Sequence, residues 1–262
     1  MKETGSMAVL IDGENVSEKY LKFIFEELSN YEENITYKRI YGDWTDNRLS
    51  SWKKVLLDYS IIPIQQYSYT SGKNSTDSAL IIDAMDILYS GDVTAFCIVS
   101  SDSDFTRLAT RLRESSMRVV GMGERKTPKA FISACESFKY LEVLSSSSLQ
   151  DTAEAKTQNQ TTVTDSNGTA AGDRDQKDDI ADLIPIIRRI VEETCDETGF
   201  TYLGTVGNLL QRKLSDFDVR NYGYKTLTQL VRAAKVFSVD IRHQNGLAPL
   251  TYIAIKKRGN HA

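Results

Sequence analysis

The chain has 262 residues, of which 40 % are hydrophobic and 26 % charged, a composition typical of one or two ordinary globular domains. No apolar run approaches the roughly 20 residues that cross a bilayer, and the first apolar run is too short for a signal peptide. Three widely spaced cysteines fit neither a disulfide framework nor a zinc site, and His243 and His261 lie far from every acidic motif. We therefore expect a cytoplasmic protein without membrane attachment and without histidine-based chemistry.

The net charge of −4 is unevenly distributed along the chain. Residues 1–149 carry 17 basic and 21 acidic residues, residues 150–199 carry 5 and 12, and residues 200–262 carry 10 and 3. An acidic N-terminal part and a basic C-terminal part indicate two separate functions, and a basic domain often binds nucleic acid. Small domains are also often mildly basic without such a role, so charge alone leaves both interpretations open.

Residues 7–145 are predicted to alternate strands and helices. The predicted strands span residues 7–11, 36–41, 61–65, 95–99, 117–121 and 140–144. The predicted helices span residues 17–28, 50–59, 76–89, 105–115 and 128–137. Alternating strands and helices pack as a mostly parallel sheet with helices on both faces, so the predicted class is α/β.

Residues 146–179 are predicted to be a flexible linker, since they hold almost no large apolar side chains and cannot offset the entropy of ordering the chain. Residues 180–257 regain an apolar pattern. The predicted helices there span residues 180–195, 203–214 and 226–234, and the predicted strands span 237–242 and 251–256, with a hairpin turn at Asn245-Gly246. Three helices and a hairpin are typical of a winged-helix domain.

Two of the predicted strands end in acids. Asp12 follows the first strand, and Asp102 and Asp104 follow the fourth. Neighbouring parallel strands end side by side about 4.8 Å apart, and ligand sites lie at that edge. Asp77 opens the third predicted helix on the same side, and Asn15 can reach back as an oxygen ligand or orient a carboxylate. Such an all-oxygen set favours Mg²⁺ or Mn²⁺, which activate water for phosphodiester hydrolysis.

Each acid also has a structural interpretation. Asp102 or Asp104 would cap the helix that follows, and Asp77 would complement the dipole of its helix. Asp83 and Asp86 lie deeper in that same helix and are interpreted as solvated rather than as ligands.

Two other acidic folds compete for the same residues. A haloacid-dehalogenase phosphatase needs a second Asp where this chain has Glu14. A Toprim domain pairs a strand-end Glu with a later Asp-x-Asp, which leaves Asp12, Asn15 and Asp77 without a role. Both explain fewer of the acids than one shared metal site does.

The segments VLIDGEN (residues 9–15), TD (76–77) and VSSDSDF (99–105) resemble the NYN branch of PIN-like nucleases, in particular the bacterial LabA-like group. The resemblance extends over residues 7–144 and implies a PIN-like, Rossmann-related domain with Mg²⁺- or Mn²⁺-dependent ribonuclease activity. It implies that the metal-binding and catalytic acids are Asp12, Asp77, Asp102 and Asp104, with Asn15 in support. One departure is Ser101, where relatives often carry Gly.

Residues 202–207 and 222–227, with Phe217 and Phe237, resemble an OST-HTH (LOTUS) domain, a winged helix associated with RNA and, in eukaryotes, with helicase partners. The resemblance implies that residues 180–257 bind RNA and that other RNA-processing proteins are candidate partners. The basic side chains predicted to contact RNA are Lys73, Arg125, Lys129, Arg212, Lys213, Lys225 and Arg232.

The leading hypothesis is a metal-dependent ribonuclease with a tethered RNA-binding domain. One alternative is a non-catalytic RNA-binding regulator or scaffold, in which the acidic pocket performs no chemistry. A second alternative is a DNA-binding regulator whose winged helix brings the first domain to a locus. Comparing RNA with DNA binding separates the last from the others, because the 2′-hydroxyl lets a protein discriminate between them.

Overall fold

The computed structural model describes residues 5–67, 75–147, 178–243 and 248–256. The chain divides into two compact units, residues 1–150 and 151–262. None of the helices in the described ranges combines the length and apolar character that a bilayer crossing requires. Most of the predicted linker lies outside the described residues, as do Lys73 and the predicted turn at Asn245-Gly246.

The first unit is built on a six-stranded sheet in which every neighbouring pair is parallel. Its strands are β1 (Ser6–Asp12), β2 (Asn34–Gly42), β3 (Ile62–Gln65), β4 (Ala95–Val99), β5 (Arg118–Gly123) and β6 (Ser137–Tyr140). Their order in space is β3-β2-β1-β4-β5-β6, so the direction of winding reverses between β1 and β4. In open parallel sheets, ligands bind beyond the carboxyl ends of the strands at such a reversal.

Helices cover both faces of this sheet, which confirms the predicted class. They are α1 (Leu21–Leu28), α2 (Ser75–Ser90), α3 (Thr106–Glu114), α4 (Lys129–Ala134) and α5 (residues 141–147). Alternate β1 side chains enter separate apolar clusters, with Val9 packed on the side of α1 and Leu10 on the side of α2. Burial on both faces explains why β1 and β4 are continuous apolar runs rather than alternating ones.

The predicted helix over residues 50–59 is wrong. The segment holds a short 3₁₀ turn, Trp52–Lys54, just after another at Asn47–Leu49, and it ends at Ser60, whose φ is 53°. Leu49, Trp52 and Leu56 are the buried side chains of this stretch. One buried residue every three or four positions fits tight turns as well as an α-helix, so the apolar spacing alone cannot distinguish the two.

The predicted last strand is also misplaced. The strand lies at Ser137–Tyr140, and residues 141–147 are helical. The helix before it ends at Ala134 because Cys135 already has an extended backbone, with φ −79° and ψ 153°. Phe138 and Tyr140 then alternate into the core as a strand requires. Because α4 ends earlier than predicted, the strand also begins and ends earlier in the chain than predicted.

The second unit has the three helices and two long strands that its sequence predicts. These are α6 (Ile180–Thr194), α7 (Leu203–Lys213), α8 (Leu227–Ala233), β8 (Phe237–Arg242) and β9 (Leu250–Ile255). A two-residue strand, β7 (Thr201–Tyr202), completes an antiparallel sheet in the order β7-β9-β8. The helices and one face of the sheet enclose a single apolar core.

Candidate metal centre

Three acids converge beyond the carboxyl end of β4. One carboxylate oxygen from each of Asp77, Asp102 and Asp104 lies within 4.8 Å of the other two. Asp77 stands in the first turn of α2, and the other two belong to the 3₁₀ turn that follows β4. Metal–oxygen bonds of about 2.0–2.6 Å place ligands on opposite sides of an ion about 4–5 Å apart. Oxygens this close can therefore share one divalent cation.

Asp12, at the end of β1, is held differently. Its side chain is buried, and both of its carboxylate oxygens accept hydrogen bonds. Oδ2 accepts from Asn15 Nδ2 at 2.8 Å and from Ser100 Oγ at 2.7 Å, and Oδ1 accepts from the amides of Glu14 and Asn15, both at 3.2 Å. Among the described acids, the 4.8 Å cluster leaves Asp12 out. Burial raises the pKa of Asp12, and these hydrogen bonds oppose the rise.

Asp77 experiences the combined charge of the whole site. Its pKa is raised from 3.8 to about 6, first by burial and then by the nearby charges of Asp12, Asp102, Asp104 and Glu14. Like charges at such close quarters favour the uptake of a proton or a cation. The five carboxylates therefore form one electrostatic unit, although only three of them meet at metal-sharing distance.

Asn15 orients a carboxylate, which is one of the two roles that its sequence position left open. Ser100 is a site residue that sequence analysis missed. Its buried hydroxyl donates to Asp12 and accepts the Asp102 amide at 3.0 Å, so it connects β1 to the turn after β4. Its role follows from the strand pairing, because Ser100 comes directly after Val99, which pairs with the residue before Asp12.

The end of β5 packs closely against the same turn. A Cβ at Gly123 would lie 2.5 Å from the carbonyl oxygen of Ser100, so this position has no room for a side chain. The hydroxyl of Ser101, the departure from the family pattern, accepts the Glu124 amide at 2.8 Å. The serine therefore fits where relatives often carry glycine, and it fixes the start of the loop after β5.

Two further acids of this region, Asp83 and Glu14, have structural partners. Asp83 accepts hydrogen bonds from the side chains of Arg39 and Tyr41 on β2, whereas Asp86 is exposed. Glu14 Oε1 lies 3.2 Å from Thr76 Oγ1, which donates to it, and therefore connects the loop after β1 to the start of α2. Asp83 is thus a structural acid and not a member of the metal-sized cluster.

A cleft of about 310 Å³ is lined by Glu14 and Asn15 of the loop after β1, and Asp77, Asp102 and Asp104 do not line it. Arg48, Leu49 and Trp52, from the segment of turns after β2, also line this cleft. This volume lies at the small end of the range for ligand-binding pockets, which begins at about 300 Å³.

The basic residues predicted to contact RNA are distributed over both units. In the first unit, the Arg125 guanidinium lies 5.2 Å from the centre of the Tyr140 ring, and Lys129 is exposed at the start of α4. In the second unit, four predicted residues are exposed on α7, on α8 or just before α8, namely Arg212, Lys213, Lys225 and Arg232. Lys213 also lies 3.8 Å from a Glu193 carboxylate oxygen.

Two solved structures resemble part of the chain. One is the crystal structure of a protein of unknown function from Vibrio parahaemolyticus, 20 % identical with a TM-score of 0.44, covering 53 % of this chain and 93 % of that one. The other is the solution NMR structure of an uncharacterized protein from Nitrosomonas europaea, 28 % identical with a TM-score of 0.29, covering 39 % of this chain and 98 % of that one. No sequence among the curated proteins matches.

Family models identify both parts of the chain. The model of the NYN domain matches residues 6–142, more than half of the sequence. The model of the OST-HTH/LOTUS domain matches residues 178–247. The resemblances to an NYN domain and to an OST-HTH/LOTUS domain are therefore confirmed. The chain belongs to the NYN domain family and carries a C-terminal OST-HTH/LOTUS domain.

Proposed function

We propose that this protein is a divalent-metal-dependent ribonuclease whose C-terminal domain binds RNA. The observation that carries the proposal is the convergence of Asp77, Asp102 and Asp104 at the reversal of strand order in an NYN domain, a nuclease family. The proposed catalytic domain spans residues 7–145, the linker 146–179 and the RNA-binding domain 180–257. We expect it to act in the cytoplasm, alone or with other RNA-processing proteins.

The donor set fits Mg²⁺ or Mn²⁺, because all of its ligating atoms are carboxylate oxygens and their mutual repulsion favours the binding of a cation. Asp77, Asp102 and Asp104 would hold the ion, and Asp12 would support them as the fourth acid. When bound, such an ion activates a water and stabilises charge on a phosphoryl group.

The protein's own contribution is to position the carboxylates. Ser100 and Asn15 fix the Asp12 carboxylate, and the Asp104 amide donates to Asp102 Oδ1 at 2.9 Å. We also assign part of the RNA path to the 310 Å³ cleft whose lining includes Glu14 and Asn15. Ligands that are held before the substrate arrives need little rearrangement in the transition state.

The C-terminal domain supplies affinity. Residues 200–262 carry 10 basic and 3 acidic residues, and Arg212, Lys213, Lys225 and Arg232 are exposed for phosphate contacts. Tethering such a domain to the nuclease raises the local concentration of RNA at the acidic site. We also assign Lys73, Arg125 and Lys129 to the RNA path of the first domain.

The test is cleavage by the full chain of end-labelled single-stranded RNA and single-stranded DNA of one sequence, in Mn²⁺, in Mg²⁺ and in EDTA. We expect RNA to be cut in at least one of the two metals, to stay intact in EDTA, and DNA to stay intact throughout. RNA that is bound but never cut would favour the regulator or scaffold. DNA bound as tightly as RNA would favour the DNA-binding alternative.

A further inference from the structure

The three-stranded sheet of the second unit carries aromatic side chains on the face opposite its core. Tyr202 of β7 pairs with Tyr252 of β9, and Thr201 pairs with Ile253. Thr201 and Ile253 are buried in the core. Because side chains alternate between the two faces of a strand, Tyr202 and Tyr252 lie together on the other face. Arg242 of β8 shares that face.

These side chains contact one another, and the Arg242 guanidinium lies over two of the rings. The Arg242 guanidinium carbon lies 4.1 Å from the centre of the Tyr252 ring and 5.2 Å from the centre of the Phe200 ring. The Tyr202 and Tyr252 rings are 5.7 Å apart at 55°, and 43 % of Tyr202 is exposed. We refer to Phe200, Tyr202, Arg242 and Tyr252 as the aromatic patch.

The aromatic patch is held in place before any ligand binds. A Cβ at Gly204 would lie 2.5 Å from the Tyr202 ring, so this ring packs directly on the first turn of α7. Arg242 Nε donates to Asp240 at 3.0 Å, and a second guanidinium nitrogen lies 3.9 Å from Asp196. Groups that are already ordered lose little entropy when they bind a partner.

We infer that the aromatic patch is a platform on which the bases of unpaired RNA stack, an inference that rests on the proposed RNA binding of this domain. Single-stranded bases stack on aromatic rings and on guanidinium planes, whereas the bases of a duplex are already stacked on each other. The patch therefore selects unpaired RNA over duplex RNA.

The charges around the aromatic patch indicate that bases and phosphates are bound by different parts of the domain. The positive charge of Arg242 is matched by Asp240 and Asp196, so the patch itself attracts phosphate weakly. The unpaired strand is drawn instead by the exposed basic residues of α7 and α8. Phosphate contacts set the salt dependence of binding, and neutral stacking contacts do not. The two contributions can therefore be measured separately.

The test measures binding of the full chain in EDTA to a labelled unpaired RNA and to an RNA duplex, at several salt concentrations. The variant Tyr202→Ala/Tyr252→Leu removes two neutral rings. We expect it to bind unpaired RNA about tenfold or more weakly, with the slope of log K against log salt unchanged. Arg212→Ala/Lys213→Ala, in contrast, should make that slope shallower.

Two controls separate stacking from structural damage. Ile241→Ala changes a side chain that is equally exposed, at 43 %, but faces the other side of β8, and should bind like the wild type. Tyr202→Phe keeps the ring and should also bind like the wild type. Gly204→Ala displaces the Tyr202 ring while keeping every aromatic residue, and should weaken binding of unpaired RNA.

The outcomes distinguish this inference from the proposed function. A wild-type chain that binds no RNA would overturn both. A wild type that binds unpaired RNA, together with a folded double-tyrosine variant of the same affinity, would overturn only the stacking platform and assign the patch to a protein partner. A double-tyrosine variant that loses affinity for duplex and for unpaired RNA by the same factor would also contradict the stacking platform, since stacking requires free bases.

Discussion

Ser100 Oγ donates a hydrogen bond to Asp12 Oδ2 over 2.7 Å and accepts one from the Asp102 amide over 3.0 Å. One buried hydroxyl thus connects the acid that ends β1 to the acid that follows β4. The two strands are direct neighbours in the sheet, although 82 residues separate the end of β1 from the start of β4. The geometry of the acidic site therefore depends on this strand pairing rather than on any one loop.

Replacing this hydroxyl should destabilise the fold. In Ser100→Ala, the buried Asp12 carboxylate loses one of its four donors, and the Asp102 amide loses its acceptor. We expect the free energy of unfolding to fall by about 1–3 kcal/mol, measured by urea denaturation in EDTA. Ser101→Ala is the matched control, because the Ser101 hydroxyl accepts a hydrogen bond from the Glu124 amide instead of donating to Asp12. An equal fall in the free energy of unfolding of the two variants would show that the hydrogen bond to Asp12 contributes no more to stability than the Ser101 hydrogen bond.

Asp77 should make stability depend on pH. Its pKa in the folded state, about 6, lies above its unfolded value near 3.8, so the folded state binds more protons between the two. Stability in EDTA therefore falls as pH rises from about 4 to about 6 and then levels off. Asp77→Asn removes this loss. We expect its free energy of unfolding at pH 7.5 to be about 1–2 kcal/mol higher than that of the wild type, after allowance for solvent screening.

The wild type and Asp77→Asn should also differ in how strongly metal stabilises them. The gain of Asp77→Asn over the wild type should shrink as the pH falls and vanish near pH ~3, below both pKa values, where the wild-type carboxyl is protonated in both states. Adding Mn²⁺ at pH 7.5 should stabilise the wild type by mass action, by about 2.7 kcal/mol at a hundredfold excess over the dissociation constant, and the variant by less. A variant that is less stable than the wild type in EDTA would contradict the crowding of charge at Asp77.

Asp83 and Asp86 provide a comparison of two acids on one helix. Asp83 accepts hydrogen bonds from Arg39 and from Tyr41, whose ring is buried, whereas Asp86 is exposed. We expect Asp83→Ala to lose about 2–3 kcal/mol of stability, because a partly buried ion pair and a buried hydroxyl lose their partner. Asp86→Ala should change stability by less than about 0.5 kcal/mol. Thermal or urea unfolding of both variants checks this, and equal losses would contradict a structural role for Asp83.

The sheet and the meeting of its acids were predictable from sequence because burial leaves a simple pattern. Continuous apolar runs identify β1 and β4, and an acid after each run places Asp12 and Asp102 at the same edge. The clustering of Asp77 with Asp102 and Asp104 follows once α2 begins on that side of the sheet.

Other features depend on contacts that no local pattern encodes. The role of Ser100 depends on which strand lies beside β4, and a serine after a strand carries no sign of its partner. The turns in residues 50–59 were not predicted, because the spacing of the buried Leu49, Trp52 and Leu56 fits turns as well as a helix. The approach of Arg242 to Phe200 as well as to Tyr252 requires the pairing of β7 with β9, which brings a much earlier part of the chain beside the hairpin.

The central claim is that the acids beyond β4 form a metal-dependent nuclease centre. Its most direct test is the rate at which the full chain cleaves single-stranded RNA in Mn²⁺, measured for the wild type, Asp102→Asn and the control Asp86→Asn. We predict that Asp102→Asn loses at least about a hundredfold in rate while it still binds RNA, because several kcal/mol of metal-assisted stabilisation disappear, and that Asp86→Asn keeps the wild-type rate. Cleavage by Asp102→Asn at the wild-type rate would contradict the account.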